Sequence, residues 1–262
     1  MKKFSKILVF ILTLAMLLTV MSACSSKKAK DFTAEPGKLI MVTSADFPPY
    51  EYWESEEIVG IDAEIAKAIA NKLGLELRID DMDFGAILAA VASGKADMGM
   101  AGLTVTEDRM ETHDFSISYA TGVQVVIVKE GSPITSVDDL FEEGANFDVG
   151  VQDATTGDIY ASEEIEDEGL GTIHRFKKGT DAVQALVSNR VDCVIIDNEP
   201  AKAFVSANPG LLILDTEYAV EDYAIAVRKG NTALLEAIDK ALGELIADGT
   251  ISSIVSKYIK AE

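Results

Sequence analysis

Residues 61–101 read IDAEIAKAIANKLGLELRIDDMDFGAILAAVASGKADMGMA, and their spacing decides the fold class. Ile61, Ile65, Ile69 and Leu73 recur every fourth residue and stop at Gly74, which predicts a helix with one apolar stripe and a glycine end. Leu75, Leu77 and Ile79 then alternate, as the two faces of a strand require. Asp83 stands where a cap belongs for a second helix over Phe84 to about Ala92, Gly94 ends it, and Asp97 to Ala101 predicts the next strand. With a strand at Leu39 to Thr43 before them, these are repeated β-α-β units, the habit of an α/β fold.

A second series follows. Apolar, β-branched runs at Val123 to Val128, Phe147 to Val151, Thr172 to Phe176, Val191 to Ile196 and Leu211 to Leu214 predict strands separated by helical segments. A faint internal echo, Ala90 to Asp97 against Ala185 to Asp192, suggests two lobes of similar construction. Tyr223 to Val227 reads as a further strand. Asn231 then caps a helix carrying Leu234, Ile238, Ala241, Leu242 and Leu245 on one face, and Gly249 separates it from a last helix around Ile251 to Tyr258.

At 262 residues, 48% of them hydrophobic, the chain can bury a large core, which excludes disordered and fibrous classes. Its formal net charge of -21 repels phosphate backbones, so nucleic acid is excluded as a partner. The first residues break this pattern: Lys2, Lys3 and Lys6 precede the apolar run Ile7 to Val20, which is short for a membrane span and reads as an export signal. Met21-Ser22-Ala23-Cys24 resembles a bacterial lipobox, which implies a signal over residues 1–23 and lipidation at Cys24. Residues 24–38, polar and ending in Pro36 and Gly37, read as a tether from the membrane. The only other cysteine is Cys193, so no disulfide is available within the exported domain. His113 and His174 stand apart without further ligands at metal spacing, so no metal site and no cofactor is expected.

Seven strings in order carry a family resemblance. Thr43 to Tyr52, Ile58 to Asp62, Ala101 to Arg109, Asp114 to Ser116, Val149 to Gln152, Asp192 to Asp197 and Ala224 to Gly230 resemble the extracellular solute-binding proteins, family 3, which serve amino-acid ABC importers. The resemblance implies an α/β, two-lobed, periplasmic-binding-protein-like clamp, each lobe a central β-sheet flanked by helices. The first lobe would comprise residues 39–120 and 223–262, and the second residues 121–222. Two crossing strands near Thr121 and Glu221 would form the hinge. The implied ligand is a free L-amino acid. The implied partner is an ABC permease with separate ATPase subunits, since the chain has no phosphate-binding glycine loop. The protein would be a monomer, exported and lipid-anchored on the outer face of the cytoplasmic membrane.

A free amino acid needs a planar double donor for its carboxylate and an acceptor for its ammonium. Arg109 can supply the first as a bidentate fork, which Lys could not reproduce. Similarity to the family assigns the carboxylate to Arg109, with Gly102 and Thr104, and the ammonium to Asp197 across the cleft. Taken alone, Arg109 could equally be a surface ion pair and Asp197 a cap for the helix beginning at Asn198. Phe47, Phe84 and Tyr50 are candidate walls around the side chain, and Thr155 and Thr156, opening a helix after a strand, are candidate contacts from the second lobe. The family usually has glycine where Ala154 stands. Glu51, Asp46 and Glu199 could favour a cationic ligand or simply face water, so arginine, lysine, ornithine, glutamine, histidine and cystine all stay open. An enzyme on the same clamp, of the cyclohexadienyl dehydratase kind, is the alternative to a receptor.

Overall fold

The computed structural model describes residues 32–260; the export segment, Cys24 and most of the tether lie outside them. Two sheets divide the described chain. The first holds β1 (Lys38–Thr43), β5 (Glu76–Asp81), β6 (Met98–Gly99), β7 (His113–Phe115) and β14 (Ala226–Arg228), in the spatial order β5-β1-β6-β14-β7. β1 runs parallel to β5 and β6, whereas β14 runs antiparallel to β6 and β7. The second sheet holds β8 (Ala120–Lys129), β9 (Phe147–Gln152), β10 (Gly171–Phe176), β11 (Cys193–Asp197), β12 (Leu211–Ile213) and β13 (Ala219–Tyr223). Its order is β10-β9-β11-β8-β12, with β13 added on β8. A small antiparallel sheet of β2 (Asp46–Phe47), β3 (Glu51–Glu54) and β4 (Glu57–Val59) sits beside the first.

Both faces of each sheet are covered. Along β1, Leu39 and Met41 enter one apolar cluster while Ile40 and Val42 enter another. Along β8, Val125 and Ile127 point into the first cluster and Val126 and Val128 into a third. Successive side chains of a strand point to opposite faces, so a strand buried on both must be apolar throughout, which is why these runs do not alternate. The first helix, α1 (Ile61–Leu73), buries Ile61, Ile65 and Ile69 completely. It stops at Gly74, which adopts φ 66° and donates its amide to the carbonyls of Ala70 and Asn71. Glycine takes this left-handed geometry without the side-chain clash that other residues meet. At the other end of the chain α7 (Thr232–Ala247) turns Leu234, Ile238, Ala241, Leu242 and Leu245 inward, and α8 (Thr250–Tyr258) follows Gly249.

Two strands differ from the sequence reading. The stretch Asp97 to Ala101 is a strand only over Met98–Gly99, because Ala101 and Gly102 peel away to form a cleft wall. Tyr223 to Val227 is broken: Tyr223 ends β13 in the second sheet and Ala226 starts β14 in the first, with Ala224 and Ile225 bonded to Leu103 and Ser116 between them. That break is where the chain passes from one lobe to the other. β8 is the second crossing, and the two pair antiparallel with Glu221 opposite Gly122 and Asp222 opposite Thr121. Residues 32–38, the end of the stretch read as a tether, lie against the first lobe: the Ala34 amide donates to Asp97 at 2.6 Å, and Glu35 pairs with Lys38 and Arg78.

Candidate ligand cleft

The carboxyl ends of parallel strands, where loops meet helix N-termini, are where open α/β sheets gather ligands. Here the ends of β1, β6, β9 and β11 face one another across the gap between the lobes. The cleft is lined from the first lobe by Ser44, Phe47, Glu51, Phe84, Ala101, Gly102, Thr104 and Arg109, and from the second by Gln152, Thr155, Thr156 and Asp197. Eight of the nine residues read from sequence as ligand contacts therefore meet at one place. The exception is Tyr50, which lies behind the wall: it is 2% exposed and packs edge-on against Tyr223, ring centres 5.2 Å apart. Its expected wall role is corrected accordingly. Its place directly before Glu51 suggests a cleft wall, but its ring turns into the apolar cluster of the first lobe.

Arg109 belongs to α3 (Glu107–Thr112), whose N-cap Thr106 accepts the Arg109 amide at 3.2 Å. Its guanidinium is buried. Nη1 donates to the Thr104 carbonyl at 2.9 Å, Nη2 reaches the Ala154 carbonyl of the second lobe at 3.2 Å, and the group lies 5.8 Å from the centre of the Phe84 ring. Among the described residues it makes no ion pair, so the surface ion-pair reading fails. Burial pulls its pKa below the ordinary arginine value, and the charges of Glu221, Tyr160 and Asp197 oppose the shift. A desolvated guanidinium without a carboxylate partner can pair with one in two parallel hydrogen bonds.

Asp197 closes β11 and stands at the N-cap position of α6 (Asn198–Ala207), yet its side chain makes no capping bond. It accepts the Tyr223 hydroxyl instead. The capping alternative is therefore not realised. Burial, with Glu221 adding its charge, pushes Asp197 up to about 7 against the bond from Tyr223. Such a carboxyl is poised to ionise when a cation arrives.

Three further acids surround the first-lobe wall. Asp62, fully buried, accepts the Gly102 amide at 3.1 Å and the Tyr119 hydroxyl at 2.9 Å, and burial raises its pKa to about 6. At Gly102, with φ 54°, an added Cβ would stand 3.0 Å from the Phe47 ring, so the wall has no room for a side chain there. Its amide is taken by Asp62, so Gly102 shapes the wall and does not donate into the cleft. Glu51 is 0% exposed; no protein donor reaches either of its oxygens, and its side chain meets the Asp62 carboxyl. Burial, and after it the charge of Asp62, holds Glu51 well above the usual carboxylate range. Asp46, at the rim, is raised to about 6, chiefly by burial and against the charge of Lys178.

On the second-lobe side Thr155 caps α4 (Thr156–Ala161): its hydroxyl accepts the Asp158 amide at 3.3 Å and donates to the Gln152 carbonyl at 2.8 Å. The Thr156 hydroxyl donates to Glu221 at 3.0 Å, as does that of Thr104. Ala154 just before them has φ 66°, a geometry suited to glycine, so the loop keeps its shape with a strained residue in place. Ser44, Gln152 and the bonding role of Glu221 were not assigned from sequence; their position at strand ends was the available signal for the first two.

Residues 39–261 match the model of the bacterial extracellular solute-binding proteins, family 3. The chain belongs to this family. It is 34% identical over 255 residues to the arginine-binding extracellular protein ArtP of Bacillus subtilis, a match covering 96% of this chain and 97% of that protein. Among solved structures, an ancestral arginine-binding protein bound to arginine superposes with a TM-score of 0.80 at 41% identity, covering 85% of this chain and 98% of the other. An ancestral arginine-binding protein bound to glutamine gives 0.80 at 39% identity, covering 87% of this chain and 100% of the other. As a family 3 protein the chain is an exported receptor that binds a polar amino acid and delivers it to the permease of an ABC importer. The relatives named are all binding proteins, and the dehydratase alternative has no support among them.

Proposed function

We propose that this receptor captures a cationic L-amino acid, L-arginine above the others. Glu51 carries the reading: a carboxyl lining the cleft, completely buried, with no protein donor to either oxygen and only the Asp62 carboxyl beside it. A buried polar group left unpaired costs about 1–3 kcal/mol, so such a group is kept where something else pairs with it. Charge balance points the same way. A zwitterion's carboxylate and ammonium neutralise Arg109 and Asp197, and Glu51, held protonated by burial and by Asp62, ionises only if the ligand's side chain brings a cation to it. A guanidinium supplies it, and Phe47 and Phe84 offer ring faces to the same planar cation. The arginine-binding function of the Bacillus subtilis relative and the arginine-bound ancestral structure support this choice.

In this reading Arg109 takes the α-carboxylate with Thr104, Thr155 and Thr156 around it, Asp197 takes the α-ammonium, and Gly102 allows the ligand close to the backbone. Contacts from both lobes favour the closed clamp, which the permease distinguishes from the open one. The receptor works as a monomer held by acyl chains on Cys24. A thermal-shift screen of the L-amino acids tests the ligand: a ligand at one hundred times its dissociation constant adds about 2.7 kcal/mol of stability. L-arginine is expected to give the largest rise, and a larger rise with a neutral amino acid overturns the proposal. Detergent-phase partition of wild type, lost on Cys24→Ser, tests the anchor.

A further inference from the structure

Behind the cleft one side chain ties the lobes together. Glu221 lies on β13, one of the two crossing strands, and is 5% exposed. A single oxygen, Oε2, accepts three bonds: from the Thr104 hydroxyl of the first lobe at 3.0 Å, from the Thr156 hydroxyl of the second at 3.0 Å, and from Gln124 Nε2 on the other crossing strand at 3.2 Å. Gln124 Nε2 also lies 3.5 Å from the Thr156 hydroxyl oxygen. The three donors to Oε2 thus lie on the first lobe, the second lobe and the other crossing strand.

We propose that Glu221 is a positioning residue of the binding site, a hinge acceptor that registers Thr104 against Thr156 and so sets the spacing of the two ligand-bearing walls in the closed clamp. The inference rests on the interlobe amino-acid site proposed above. It goes beyond that site because Glu221 does not line the cleft and acts only through the threonines. Rotation of one lobe away from the other must stretch the bond from one hydroxyl or the other, since both converge on one atom. A charged acceptor makes stronger hydrogen bonds than a neutral one, and in a buried site an abandoned donor has no water to turn to. Opening is therefore resisted from the hinge side as well as by the ligand. The carboxylate also raises the pKa of Arg109 by its charge, so a test must separate acceptor from charge.

The variants are Glu221→Ala, which removes the acceptor, and Glu221→Gln, which keeps a carbonyl oxygen but no charge. Stopped-flow kinetics with L-arginine are expected to show dissociation at least tenfold faster for E221A, with association within threefold of wild type, and dissociation within threefold of wild type for E221Q. Wild-type dissociation in E221A overturns the proposal. So does an E221Q as fast as E221A, because charge on Arg109 rather than registration would then be at work. A readout independent of the ligand's identity is the interlobe distance distribution from spin labels at Asn71→Cys and Glu168→Cys, exposed sites on the two lobes. The hinge bonds are intramolecular, so this distribution is expected to broaden in E221A with no amino acid added, and an unchanged distribution overturns the proposal even if L-arginine proves not to bind wild type. Should E221A fail to fold by circular dichroism, Thr156→Val cuts the second-lobe bond alone and must give the same broadening; none overturns the proposal.

Discussion

Lowering the pH from 8 to 5 should release the ligand, and the reason is Asp197. Its carboxyl is buried and pushed up to about 7, so it is charged at pH 8 and almost wholly neutral at pH 5. If only the ionised form pairs with the α-ammonium, apparent affinity scales with the ionised fraction. That fraction falls from about nine-tenths to about one-hundredth, so the dissociation constant rises roughly a hundredfold, or about 2.7 kcal/mol. Asp62, raised to about 6, acts in the same direction on a cationic side chain. The sign for folding is opposite: a carboxyl raised above its unfolded value favours the fold below about pH 4, and that contribution is lost as pH climbs through 7. Calorimetric titration of L-arginine at pH 8, 7, 6 and 5, repeated in buffers of different ionisation enthalpy, reads both the affinity and the protons released on binding. Asp197→Asn should bind more weakly at pH 8 and show a flatter profile between 8 and 6. A wild-type dissociation constant constant within threefold from pH 8 to 5, with the fold intact by circular dichroism, would refute the reasoning.

Arg109→Ala should lose at least a hundredfold in affinity, consistent with the 2–5 kcal/mol typical of truncating a buried charge pair, while far-ultraviolet circular dichroism stays unchanged. Arg109→Lys should not restore binding, because one ammonium cannot reproduce the fork whose Nη atoms reach Thr104 and Ala154. Glu51→Gln should weaken L-arginine tenfold or more and leave L-glutamine within threefold, a selectivity change read by paired titrations; equal losses for both ligands count against the charge argument. Ala154→Gly should stabilise the ligand-free protein by about 1 kcal/mol, since alanine at φ 66° is strained, and melting curves should move up by roughly 2–4 °C. An unchanged or lower melting temperature contradicts that strain.

Local periodicity carried most of the fold. The stripe Ile61, Ile65, Ile69 with its stop at Gly74 reads as a helix because a glycine end and a four-residue apolar repeat have no other common explanation, and α1 runs from Ile61 to Leu73. The runs in β1 and β8 were legible as strands but not as doubly covered ones, since burial of both faces depends on helices distant in sequence. The split of Tyr223 to Val227 was hidden for a related reason: five apolar or aromatic residues look continuous, and only the passage between lobes breaks them. At the cleft, Arg109 and Asp197 stood out by ordered family motifs, whereas their own residue types allowed an ion pair and a cap. Glu51 could not be placed from sequence because its neighbours Tyr50 and Tyr52 face different surroundings, one buried and one half-buried. Glu221 was visible as a hinge position, but its three donors lie 65 to 117 residues away in the chain. No local pattern encodes such a meeting.

The central claim is that one cleft reads all three charged groups of a cationic amino acid at once. Calorimetry of the purified protein with L-arginine, with agmatine, which lacks the carboxylate, and with L-glutamine, which lacks the side-chain charge, tests it most directly. One L-arginine is expected to bind per chain, with agmatine weaker by at least a hundredfold for want of a partner to Arg109, and L-glutamine weaker by tenfold or more for want of a partner to Glu51. Agmatine binding as tightly as L-arginine, or L-glutamine binding more tightly than it, would show that the cleft does not select a cationic amino acid by its three charges.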